Sequence, residues 1–169
     1  MIARKAWLPG HGTYSVESTS DVYNPTVGRV SFSPFHPRDA RDLEKETSEE
    51  EITPLDEVSK RPFLQEYLNI ASLANLATLE QDKSDPTQPD QWKARGAPTE
   101  IAIEVFASRF GCNRVQLSQG PRARWSHVGE FPFDSEVKKM SSLFLDTTTQ
   151  ETHIFTKVLI LQEHLQIKV

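Results

Sequence analysis

Two segments with helical periodicity stand side by side in the middle of the chain, and strand-like segments lie on both sides of them. That order constrains the fold more than any single residue. A parallel sheet needs strands and helices in regular alternation, which this order does not supply. Strands, then helices, then strands again predict an α+β domain: a largely antiparallel sheet flanked by helices.

The individual segments carry recognisable signals. "MIARKAWLPGHGTYSVES" reads as two short strands joined at Pro9-Gly10, with Gly12 close behind. "NPTVGRVSFSP" alternates after a turn at Asn24-Pro25, and Pro34 ends it. "RPFLQEYLNIASLANLATLEQD" repeats apolar residues at three and four positions, which predicts a long buried helix, capped by Ser59 with Pro62 in its first turn. "APTEIAIEVFASRFG" predicts a second helix, with Thr99 as cap, Glu100 in the acid-favouring first turn and Gly111 at the stop. "CNRVQL", "ARWSHVGEFPF", "KKMSSLFLD" and "THIFTKVLILQ" then read as strands, with "TTTQE" as a hairpin loop between the last two.

Charge and composition exclude several classes. The net charge is −5, without the basic excess of a nucleic-acid binder. Apolar runs fall far short of the roughly 20 residues of a membrane helix, so no direct membrane contact is expected. The N-terminus lacks the apolar stretch of a secretory signal. One cysteine, Cys112, forbids an internal disulfide, and five scattered histidines give no zinc spacing, so no metal ligands are expected. Residues 39–57 hold nine acids against Arg41 and Lys45, which outweighs the charge of the whole chain and predicts a mobile acidic surface loop.

Neither a glycine-rich phosphate loop nor a nucleophilic triad is present, so no catalytic residue is assigned. The stretch "EFPFDSEVKKMSSLFLD" is more informative. Strand parity puts Phe131, Phe133 and Ser135 on one side, and a turn at Asp134-Ser135-Glu136 can bring Lys138 toward Phe133. An aromatic ring stacked on a base contributes roughly 1–3 kcal/mol, and a lysine supplies a point charge for a phosphate. Glu100 can accept from the exocyclic amine of adenine. From pattern alone, Phe133 reads first as a core ring, Lys138 as a solvated lysine and Glu100 as a helix-start acid.

Read in order, "GAPTEIAIEVFASRFG", "EFPFDSEVKKMS" and "THIFTK" resemble the nucleotide-binding domain of P-type cation-transporting ATPases, in particular the fungal-type sodium/potassium-exporting branch. That branch has Gly-Asp-Pro-Thr-Glu at the helix start, Phe-Pro-Phe-Asp-Ser closing on Lys-Met-Ser, and Thr-Lys-Gly-Ala. The resemblance runs from residue 1 to about Lys157, and "FPFDSEVKKMS" is its most specific piece. It implies an ATP site of four residues. Phe133 matches the ring stacked on adenine, Lys138 the lysine beside the nucleotide, Glu100 the acid at the adenine edge, and Lys157 the lysine at the pocket base.

The resemblance implies an adenine nucleotide as ligand, with Mg2+ arriving on the nucleotide and held by no residue of this chain. It implies phosphorylation and actuator domains as partners, and a place on the cytoplasmic face of a membrane-embedded parent that exports monovalent cations. The phosphorylated Asp-Lys-Thr-Gly-Thr motif does not occur, so the chain alone is expected neither to hydrolyse ATP nor to transport ions. Two departures stand out. Ala97 replaces the family's Asp, and Val158-Leu159 replaces Gly-Ala. Residues 1–157 are therefore read as the ATP-binding domain. Residues 158–169 are read as a divergent tail, of the kind a gene-model truncation or retained intron would produce. A non-catalytic interaction module, using the acidic segment and burying Phe133, or a non-functional fragment, are the alternative readings.

Overall fold

A computed structural model describes residues 1–35, 49–82, 91–119 and 123–159. Three antiparallel sheets and four helices make up these residues, an α+β architecture. The first sheet runs β1 (Lys5–Leu8), β2 (Gly12–Glu17), β3 (Arg29–Pro34) and β4 (Glu50–Glu51), each paired with the next. Helices α1 (Pro54–Lys60) and α2 (Pro62–Leu73) follow, then a two-stranded sheet of β5 (Thr78–Gln81) and β6 (Trp92–Arg95). Helices α3 (Pro98–Arg109) and α4 (Arg114–Ser118) lead to the last sheet, β7 (Trp125–Asp134), β8 (Lys139–Asp146) and β9 (Thr152–Val158).

Helix α2 ties the molecule together. Leu64 and Leu68 are buried against Tyr14, Val16 and Phe32 of the first sheet and against Phe106 and Phe110 from the α3 side. Five residues beyond Leu68, Leu73 enters a second cluster with Trp125 and Phe144 of the last sheet. One helix thus inserts side chains into two cores, and each fully buried leucine or phenylalanine contributes roughly 1.5–3 kcal/mol. Tyr14 sits at the centre of the larger core, its ring 4.7 Å from Phe32 and 5.6 Å from Phe110. Arg109 holds the β2–β3 connection against α3, donating to the carbonyls of Asn24, Pro25 and Val27.

Several expectations are corrected. The long helix stops at Leu73, because the buried Asn75 side chain takes over the backbone, accepting from Ala77 N–H at 2.9 Å and donating to Ala71 C=O. Thr78–Gln81 is then a strand. Ser59 lies inside α1 and does not cap α2, which begins at Pro62 after Arg61. Ala97, not Thr99, occupies the cap position of α3, since Pro98 opens the helix and Ala97 C=O accepts from Ile101 N–H. "NRVQL" is a short helix, not a strand, because Asn113 Oδ1 accepts from the N–H groups of Val115 and Gln116. Of the acidic 39–57 segment, residues 39–48 lie outside the described residues. From Glu50 onward the chain is not a loop: Glu50 and Glu51 pair with β3, and Glu57 is buried in an ion pair with Arg61.

Candidate functional site

The last sheet brings distant parts of the sequence to one level. On β8, Met140, Ser142, Phe144 and Asp146 are buried on the core face, while Lys139 is exposed on the other. The β7–β8 register runs Phe131 opposite Ser141 and Asp134 opposite Lys139. Pro132 and Phe133 therefore share the place opposite Met140, which is one residue more than regular pairing allows. Proline, with no N–H for the ladder, suits such a bulge. On the other side of Met140, β9 presents Lys157. Lys157 is thus the cross-strand neighbour of Met140, while Phe133, in the bulge beside Met140, borders the face lined by Lys139, Ser141 and Thr156.

Glu100 meets Lys157 from outside the sheet. The Lys157 ammonium donates to Glu100 Oε1 at 2.9 Å, across 57 positions of sequence. Their side chains are 23% and 16% exposed, so the pair is screened much less than a surface pair yet still reachable from solvent. The first turn of α3 holds Glu100 in place. Gly96, with φ of +134°, packs so closely on Ala77 that a Cβ there would lie 2.9 Å from Ala77 Cα. Asn75 Nδ2 donates to Glu100 C=O at 3.0 Å.

Phe133 is 46% exposed and does not belong to the sealed core. It lines an open groove of about 990 Å³ on the outward face of the last sheet, with Phe131, Lys139, Ser141, Ile154 and Thr156. Strand alternation places Phe131 and Phe133 on one side with Pro132 opposite; because of the bulge, all three border the groove. Lys138 is half-buried in the turn after β7, with φ of +53°, a left-handed conformation uncommon for a residue with a side chain. Asp134 Oδ1 accepts from Glu136 and Val137 N–H to shape that turn, and Leu159 N–H donates to Lys138 C=O.

The structure therefore joins Glu100 to Lys157 directly, while Phe133 borders the groove on the other face of the sheet. Neither Glu100, Lys138 nor Lys157 lines the groove that Phe133 borders. Val158 is paired with Lys139 at the end of β9, while residues 160–169 of the tail lie outside the described residues.

The surroundings add groups that sequence reading did not single out. Met140 separates Phe133 from Lys157 and is 1% exposed. Arg114 donates to the carbonyls of Leu73 and Asn75. Burial pushes its guanidinium below the usual value, and the charges of Glu130, Glu104 and Glu100 oppose that shift. Glu104, one turn beyond Glu100, is fully buried. Its Oε1 accepts from Arg114 N–H at 2.7 Å, while Oε2 has no hydrogen-bond partner. Burial pushes this carboxyl up to about 8 against the opposing effect of Arg114. A pattern of spacing could not have found these residues, because the connection runs through backbone atoms.

Among the described residues, no helix is long and apolar enough to cross a membrane, and no group of three or more His, Cys, Asp or Glu stands together to hold a metal ion.

Comparison with known proteins gives this arrangement a family. The chain is 34% identical to sodium/potassium exporting P-type ATPases 1 and 2 of Saccharomyces cerevisiae, over 93% of its own length and 17% of theirs. It is 36% identical to sodium/potassium exporting P-type ATPase cta3 of Schizosaccharomyces pombe, over 90% of its length and 13% of that protein's. It thus spans less than a fifth of the curated relatives it matches. The family model for the P-type ATPase cytoplasmic domain N matches residues 63–157, more than half of the chain, and the chain belongs to that family.

Proposed function

We propose that this chain holds an adenine nucleotide for a P-type ATPase that exports sodium or potassium. The observation that carries the reading is the Phe133 ring, 46% exposed on an open groove, within the stretch that the family model matches. An exposed ring, an ammonium and a carboxylate are the groups that a base with an exocyclic amine and a phosphate tail requires. Phe133 stacks on the base, Glu100 accepts from the amine, Lys157 closes the pocket base, and Lys138 faces the phosphates. The relatives' names supply the transported ions.

The residues present fit the nucleotide better than a resident metal. Lys138 and Lys157 are cations, suited to a polyphosphate, and Mg2+ comes with ATP as its counter-ion. In phosphoryl transfer of this kind the protein's contribution is mostly positioning and charge stabilisation. This chain contributes the positioning: it binds the base and presents the γ-phosphate to a phosphorylation domain supplied by the rest of the ATPase. With the N domain on the cytoplasmic side, the parent protein spans the membrane.

Replacing Phe133 by alanine tests the reading. Stacking energy of roughly 1–3 kcal/mol corresponds to about 5- to 150-fold in affinity. Amide shifts on titration with Mg-ATP are expected in the parent chain and at least fivefold weaker binding in Phe133→Ala. Equal affinity in the two proteins contradicts the assignment.

A further inference from the structure

The segment between α2 and β5 is unusual in that a single fully buried amide joins three parts of the fold. Asn75 is 0% exposed. Its Oδ1 accepts from Ala77 N–H at 2.9 Å, and its Nδ2 donates to Ala71 C=O at 3.2 Å and to Glu100 C=O at 3.0 Å. One acceptor faces an N–H and one donor faces two carbonyls, so the network fixes the orientation of the amide. Its own carbonyl accepts from the Arg114 guanidinium, which also donates to Leu73 C=O.

The bond to Glu100 falls where it matters for placement. Ala97, the cap of α3, has no side-chain acceptor, and none is used there. The start of α3 is instead held by Gly96 against Ala77 and by Asn75 against Glu100 C=O. Both contacts come from one three-residue segment, 75–77. The Glu100 side chain then reaches from this anchored backbone to Lys157 on a different element.

We propose that Asn75 is a positioning residue that fixes the Glu100 carboxylate against Lys157 and thereby sets selectivity for adenine over guanine nucleotides. The second half rests on the nucleotide reading given above. Adenine presents an amine at the edge where guanine presents a carbonyl. A carboxylate accepts from the first and repels the second, so discrimination depends on holding that carboxylate in place. If α3 shifts at its first turn, the carboxylate moves and the discrimination falls.

Asn75→Asp tests this in the full 169-residue chain. The substitution preserves shape and the acceptor for Ala77 N–H; as a carboxylate it removes the donor that serves both Ala71 and Glu100 C=O. The nuclear Overhauser contact between the Lys157 ε-methylene and Glu100 γ-methylene protons is expected to be strong in the parent and lost in the variant. Mg-ATP affinity is expected to fall roughly tenfold with Mg-GTP affinity changed less, so the selectivity ratio drops. A purely structural role lowers the melting temperature and weakens both nucleotides equally. An unchanged Lys157–Glu100 contact, or an unchanged ratio in a parent that binds ATP, overturns the proposal. A parent that binds no Mg-ATP contradicts the nucleotide reading instead, and the proton contact then decides the positioning role alone. If Asn75→Asp does not fold, Asn75→Ala is read in the same way. In the parent itself, Asn75 side-chain amide protons exchanging with solvent as fast as those of an exposed asparagine overturn the proposal whatever the variants do.

Discussion

Lys157 Nζ lies 2.9 Å from Glu100 Oε1, joining the end of the last strand to the start of α3 across most of the central and C-terminal sequence. Both groups sit at the edge between core and solvent. There an ion pair is neither a freely solvated surface contact nor a fully desolvated one.

The pair is therefore expected to be energetically coupled. Glu100→Gln and Lys157→Met each leave one charge partly buried without its partner, and each is expected to cost about 1–2 kcal/mol, with less than additive loss in the double variant. Urea unfolding of the four proteins measures this. Strict additivity means the two charges do not interact in solution.

Glu104 gives stability a pH dependence of unusual sign. Its folded-state carboxyl is raised from 4.5 to about 8 by burial, so the native state binds more protons than the unfolded chain between those values. Its contribution is fully present below about pH 4.5 and is lost as the pH rises through about 8. Glu104→Gln fixes the neutral form. The variant is expected to lose less stability than the parent between pH 5 and pH 8, measured as the shift of the urea midpoint.

Asp146 behaves in the opposite way. The Arg124 guanidinium donates to its Oδ2 from Nε at 2.8 Å, and Oδ1 accepts from Thr148 and Thr149 N–H, which folds the β8–β9 turn. These contacts, Arg124 foremost, hold its carboxyl well below the usual carboxylate range. Its stabilisation is present above the ordinary value of 3.8 and is lost as the pH falls toward the folded value. Asp146→Asn is expected to lower the melting temperature at pH 7 and to have a smaller effect at pH 2. An equal effect at both pH values contradicts the assignment.

How much of this was legible in the sequence follows from where the determining contacts lie. The β1–β2 hairpin, β3 and the β8–β9 hairpin are written in local alternation and turn residues, and the α+β class follows from their order. The end of α2 was not legible: Leu76 and Ala77 continue the helical spacing, and only the buried Asn75 side chain diverts the backbone. Glu50 and Glu57 read as solvated charge because the sequence does not show that β3 and Arg61 wait for them. Strand parity puts Phe131 and Phe133 on one side, as both border the groove, but it cannot anticipate the bulge that brings Pro132 there as well. The family motifs named Glu100 and Lys157 separately, but their contact is a property of the tertiary fold.

The most direct measurement is a residue-by-residue NMR titration of the full chain with Mg-ATP. The largest shifts are expected at Phe133, Lys138, Glu100 and Lys157, with the first sheet, Lys5–Pro34, nearly unchanged. Saturable binding that shifts the first sheet and leaves Phe133 and the Glu100–Lys157 pair untouched, or no binding at millimolar nucleotide, would contradict the nucleotide assignment.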